Sequence, residues 1–106
     1  MTQLPLALTP RMHTALTFVQ SRPEAFRAGF AEWLKANWPV YEEFERRALR
    51  LAGAGRRHYG ARSIWEAMRF DSSVGELAGE WKLNDHWPPY VARLAMMMEP
   101  RLAGMF

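Results

Sequence analysis

Pro39-Val-Tyr-Glu-Glu-Phe-Glu-Arg-Arg-Ala-Leu-Arg-Leu-Ala52 is the stretch on which the reading of the fold turns. Tyr41, Phe44, Ala48 and Leu51 recur at helical spacing and form one apolar stripe. Glu42, Glu43 and Glu45 lie early, and Arg46, Arg47 and Arg50 lie late. That order suits the helix dipole and predicts i,i+4 pairs such as Glu42–Arg46 and Glu43–Arg47. The three glutamates read as one charged, solvated face rather than as a spaced acid/base pair. Gly53 is the expected stop.

Upstream, residues 1–8 read as a loose arm. Thr9-Pro10 predicts a helix start, with a hydroxyl cap and proline at the first helical position. Met12, Ala15, Leu16 and Val19 continue it to about Gln20. Ser21-Arg-Pro-Glu24 matches a capping box and predicts a second helix carrying Phe26, Phe30, Trp33 and Leu34 on one face. Gly29 inside that helix weakens it by roughly 1 kcal/mol against alanine. The helix is expected to stop near Asn37, because Trp38 precedes a proline and is biased away from helical backbone.

Downstream, Ala54–Gly60 predicts a loop and Ala61–Phe70 a fourth helix with Ile64, Trp65 and Met68 inward. Residues 71–79 are turn-rich. Glu80-Trp-Lys-Leu-Asn84 alternates polar and apolar, the pattern of a short half-buried strand. Pro88-Pro89 opens a last helix through about Met98, with Tyr90, Val91, Leu94, Ala95 and Met98 as its stripe. Pro100 ends it, and the tail 102–106 is expected to pair with Trp81–Leu83 as a second short strand. The expected fold is therefore mainly α: one domain of about five helices with a short two-stranded C-terminal β ribbon.

Composition narrows the function classes. A chain of 106 residues, about half of them hydrophobic, fits one globular domain. No cysteine is present, which excludes a disulfide scaffold and a thiolate metal site. No apolar run approaches the roughly 18–20 residues needed to span a bilayer. The absence of an export-type leader sets a cytoplasmic expectation. The net charge of +3 is unevenly spread. Residues 56–69 hold four arginines against one glutamate, and residues 70–86 hold four carboxylates against one lysine. A basic stripe beside an acidic one fits an anionic partner, self-association or plain solubility.

Four patches stand in a fixed order: His58-Tyr-Gly-Ala-Arg-Ser-Ile-Trp-Glu66, Glu80-Trp-Lys-Leu-Asn84, Pro89-Tyr-Val-Ala-Arg-Leu94 and Pro100-Arg-Leu-Ala-Gly-Met-Phe106. In these the chain resembles small uncharacterised proteins of bacterial genomes and prophages, from about residue 38 to 106. The resemblance implies no activity. It implies that 38–106 is the family core and 1–37 an N-terminal helical extension. The element order is also that of a winged-helix variant, although the link from Phe70 to Trp87 is too long for a plain helix-turn-helix.

Two groups of residues are candidates for contact with a partner. Arg56, Arg57 and His58, continued by Arg62 and Arg69, could contact phosphates, since guanidinium forks suit phosphate oxygens. The bland alternative is a solvated loop paired with the acidic stretch 71–85. The second group is Lys82, Asn84, His86, Tyr90 and Arg93 at the start of the last helix, where a recognition helix would read bases. There the alternative is capping by Asn84 and Asp85 with packing by Trp87 and Tyr90. His13, His58 and His86 share no metal-ligand spacing, and no phosphate-binding glycine loop appears. No cofactor, metal, small-molecule substrate or catalytic residue is expected. Five tryptophans are many for one small core, so some are expected to be exposed anchors for a protein or a second copy of the chain. The sequence thus favours a non-enzymatic accessory protein of phage or mobile-element type that binds a protein: itself, a host protein or a defence component. The alternative is a winged-helix-like nucleic-acid-binding regulator using Arg56–Arg69.

Overall fold

A computed structural model describes residues 9–56, 58–71 and 86–106. Among them are five α-helices: α1 (Pro10–Ser21), α2 (Phe30–Ala36), α3 (Trp38–Gly53), α4 (Ala61–Arg69) and α5 (Pro88–Met98). Short 3-10 turns cover Pro23–Ala25 and Pro100–Leu102. The mainly helical architecture is the one the sequence predicts.

The helix starts follow local chemistry. The Thr9 hydroxyl accepts the Met12 N–H at 3.1 Å, and Pro10 follows it. The predicted apolar positions Met12, Ala15, Leu16 and Val19 are all buried. The second helix departs from the sequence reading. Ser21 is the last residue of α1, and its hydroxyl donates to the Phe18 carbonyl at 3.0 Å instead of opening a new helix. The chain then makes a 3-10 turn, and α2 begins only after Gly29, whose φ is +90°. The glycine that looked like a weak point within one helix is the break between two segments. Only glycine takes that backbone conformation at little cost.

Asn37 turns the chain from α2 into α3. Its side-chain amide and its backbone N–H both donate to the Trp33 carbonyl at 2.9 Å, which satisfies the end of α2. Trp38 was expected outside the helices, yet it is the first residue of α3. Proline tolerates the first turn, so it does not force the preceding residue out once that residue starts the helix.

One hydrophobic cluster joins every helix, the N-terminal pair included. An aromatic chain runs through it. Phe26 stacks on Phe30 at 5.4 Å, Phe30 on Trp33 at 5.7 Å, and Trp33 on Trp87 at 5.7 Å. Trp65 on α4 meets both Trp33 and Phe44. Fully burying each large ring contributes roughly 2–3 kcal/mol. Trp33, Trp38 and Trp65 are buried and Trp87 is half-buried, so these four tryptophans are packing residues. Trp81 lies outside the described residues.

The C-terminal tail is not a strand. Pro100–Leu102 forms a 3-10 turn, and Leu102 and Met105 are buried. Phe106 packs on Phe44 at 5.6 Å. The expected pairing partner, Trp81–Leu83, lies outside the described residues, and no strand occurs among those described. The physical reason is the proline-led turn: it points Leu102 into the core and spends the tail's backbone bonds locally, such as Met105 N–H to the Leu102 carbonyl at 3.0 Å. No helix among the described residues is long and apolar enough to cross a membrane.

Candidate partner-binding surface

The C-terminal end of α3 organises the most distinctive surface. Gly55, at φ +89°, donates its N–H to the Ala52 carbonyl, and Arg56 donates to the Leu51 carbonyl, each at 3.0 Å. That pair of bonds is a Schellman cap. The stop is therefore set by Gly55, with Gly53 still helical. The cap directs Arg56 outward, where its guanidinium carbon sits 5.8 Å from the centre of the Tyr59 ring. Tyr59 is tied in turn to the tail, its N–H donating to the Met105 carbonyl at 3.1 Å.

Two shallow pockets, each of about 190 Å³, flank this junction. One is lined by Ala52, Gly55, Arg56, Arg101, Ala103 and Met105. The other lies between α3 and α4 and includes Arg47, Arg50, Tyr59 and Ser63. Arg50, Arg56 and Arg101 are exposed and meet no carboxylate among the described residues. Arg47 differs. It donates to Glu43 at 2.6 Å and also to Asp71, joining α3 to the end of α4. Burial opposes the charges of this cluster, but the hydrogen bonds outweigh it. They hold the Glu43 carboxyl below its ordinary pKa and raise that of Arg47.

Phe70 lies at the other end of α4, next to the Arg47–Asp71 pair. It follows α4 and is 83 % exposed, the outstanding apolar side chain on the described surface. The four described tryptophans are buried or half-buried, so the exposed aromatic ring here is a phenylalanine next to Asp71.

The predicted site residues fall into separate places. Arg56 joins Arg101 and Tyr59 as above, while His58 is exposed nearby in sequence. Arg62 and Arg69 lie one turn either side of Glu66, at 3.9 and 3.6 Å. His86, Tyr90 and Arg93 gather against the turn before α2. Arg27 meets His86 at 3.2 Å, Tyr90 packs on Phe30, and Arg93 covers Tyr90 and donates to the Ala25 carbonyl. Arg57, Lys82 and Asn84 lie outside the described residues. Among the described residues, then, the two predicted groups engage different elements. Sequence reasoning missed Arg50, Arg101 and Phe70. Arg101 carries no spacing signal at all, because only the docked tail brings it to Arg56.

A second polar cluster has a structural task. Glu45 is only 5 % exposed. It accepts from Arg11 of α1 at 2.5 and 2.7 Å and from the Tyr41 hydroxyl at 2.9 Å. Arg11 also reaches Glu42 at 3.1 Å and lies over the Trp38 ring. Burial, then the adjacent Glu45 charge, pushes the Tyr41 hydroxyl far above its ordinary pKa. The tyrosine therefore stays a neutral donor, and the cluster fastens α1 to α3. No group of three or more metal-ligating side chains occurs among the described residues.

Comparison with protein-family models, with curated proteins and with solved structures finds no match.

Proposed function

We propose that this chain is a small non-enzymatic accessory protein that acts by binding another protein through the face formed by the end of α3, the end of α4 and the tail. The observation that carries the reading is Phe70, 83 % exposed and next in the chain to Asp71, which pairs with Arg47 of α3. Exposed aromatics flanked by arginine are what protein interfaces enrich. Arg50, Arg56 and Arg101, which meet no carboxylate among the described residues, favour a partner that presents carboxylates. The partner is a host or defence component or a second copy of the chain, and the likeness to prophage proteins suggests the mobile-element setting.

A second reading uses the same arginines for nucleic acid, with Tyr59 as a stacking ring. Guanidinium groups that meet no carboxylate among the described residues are what favour it. Its winged-helix form draws on residues 80–85, which lie outside the described residues.

One set of measurements separates the two. Light scattering reads the mass of the wild-type chain and of Phe70→Ser. DNA and RNA are titrated at about 50 and 200 mM salt. Quantitative cross-linking in cell extract compares wild type with Phe70→Ser and Arg50→Glu. Protein binding predicts a dimer, or a specific cross-linked protein, that is lost in both variants. A monomer whose cross-linked proteins survive both substitutions contradicts it. Nucleic-acid binding that collapses at the higher salt and in Arg56→Ala establishes the second reading instead.

A further inference from the structure

We propose that Arg56 and Arg101 form a binding site for a phosphate-type dianion in the pocket between the end of α3 and the tail. Three observations support it. The pocket, about 190 Å³, has Arg56 and Arg101 among its lining residues and no carboxylate among those described. Neither arginine meets a carboxylate elsewhere among the described residues. Both are held in place by their neighbours. Arg56 follows the Schellman cap and lies over Tyr59, while Arg101 is fixed one residue before the fully buried Leu102.

Stacking leaves the chemistry of Arg56 available. A guanidinium lying over a ring keeps its in-plane N–H groups open, in the fork geometry that matches an oxyanion. The backbone amides nearby are already used: those of Gly55 and Arg56 by the α3 cap, and that of Met105 by Leu102. The arginine side chains would therefore be the main donors to the ligand. A cation after a helix end offsets the dipole, and that accounts for Arg56 by itself. It does not account for a second arginine, from a different element, lining the same pocket. Two positive charges match a dianion, whereas one carboxylate is satisfied by a single fork. The ligand class is thus a free phosphate or a phosphate monoester.

This site does not depend on the protein-binding reading, and its failure leaves that reading untouched. The test follows the arginine Nε–Hε signals of the full chain by NMR at constant ionic strength. Inorganic phosphate is titrated first, then O-phosphoserine. The signals of Arg56 and Arg101 are expected to move together and to saturate with a Kd of about 1 mM. Arg56→Gln and Arg101→Gln are each expected to weaken binding about tenfold, with Arg62→Gln unchanged. Binding of the monoester is expected to fall as pH drops through about 6, where it loses its second charge. Tighter binding of O-phosphoserine marks an ester site, and tighter binding of phosphate marks a free-ion site. Absence of saturation with both ligands overturns the proposal. So does an equal loss in Arg62→Gln, which would reduce the effect to the general positive field.

Discussion

Replacing Glu45 with alanine tests whether a polar cluster, and not apolar packing alone, fastens α1 to α3. The substitution strips the acceptor from a buried tyrosine hydroxyl and from Arg11. Breaking a fully buried ion pair costs about 3–5 kcal/mol. That figure is too high here, because the Arg11 side chain is 42 % exposed and can turn its charge to water. The Tyr41 hydroxyl has no such escape, and stranding it costs about 1–3 kcal/mol. The expected loss is therefore about 2–3 kcal/mol, or about 10–15 °C in Tm for a domain of this size. Glu45→Gln keeps an acceptor for Tyr41 and is expected to lose only about 1 kcal/mol. Urea unfolding followed by tryptophan fluorescence measures both, with Trp38 in the α1–α3 junction as a reporter. The double change Arg11→Met with Glu45→Met is expected to recover stability relative to Glu45→Ala, since apolar residues can replace such a pair. A loss under about 0.5 kcal/mol for Glu45→Ala would refute the reasoning, because that is the range of an ordinary surface change.

Three further outcomes follow from the packing and the charges. Gly29→Ala is expected to cost about 1–2 kcal/mol from left-handed backbone strain alone, because a β-carbon there would meet Trp87 only at an ordinary 3.8 Å; a neutral result in a thermal melt would show that the α1–α2 turn can relax. Leu102→Ala is expected to cost about 2–5 kcal/mol and to loosen the tail, so hydrogen exchange at the Tyr59 amide should speed up with it; unchanged exchange would mean that the tail is held by something else. Glu43 has a pKa below that of the unfolded chain, so its contribution is present above the ordinary carboxylate range and is lost as pH falls through the lowered value. Glu43→Gln should therefore flatten the acid limb of stability, read as urea midpoints from about pH 6 downward, and an unaltered limb would contradict the pairing.

The legibility of this chain divides along the range of the forces involved. Helix faces were readable because burial periodicity is a local property: Met12, Ala15, Leu16 and Val19 on α1, and Ile64, Trp65 and Met68 on α4, are all inside. The Thr9-Pro10 start was equally local. Glu45 was misread as solvated, since its place on the helix differs little from that of Glu42, and only the approach of α1 with Arg11 covers it. Capping-box letters at Ser21–Glu24 were outvoted by Gly29, whose positive φ serves the docking of α2. The candidate surface was half legible. Arg56 stood out by its basic neighbours, but Arg101, Arg50 and Phe70 did not.

By itself, then, the sequence determined a cysteine-free, mainly helical chain, the faces its helices turn inward, and a local excess of arginine. The tertiary structure decided where the helices break, which glutamate is buried, and that the tail folds into the core as a turn. It also decided that Arg56 and Arg101, forty-five positions apart, line one pocket. The reason is physical: periodicity and capping act over one or two turns of chain, whereas a burial or a meeting of side chains exists only once distant elements pack.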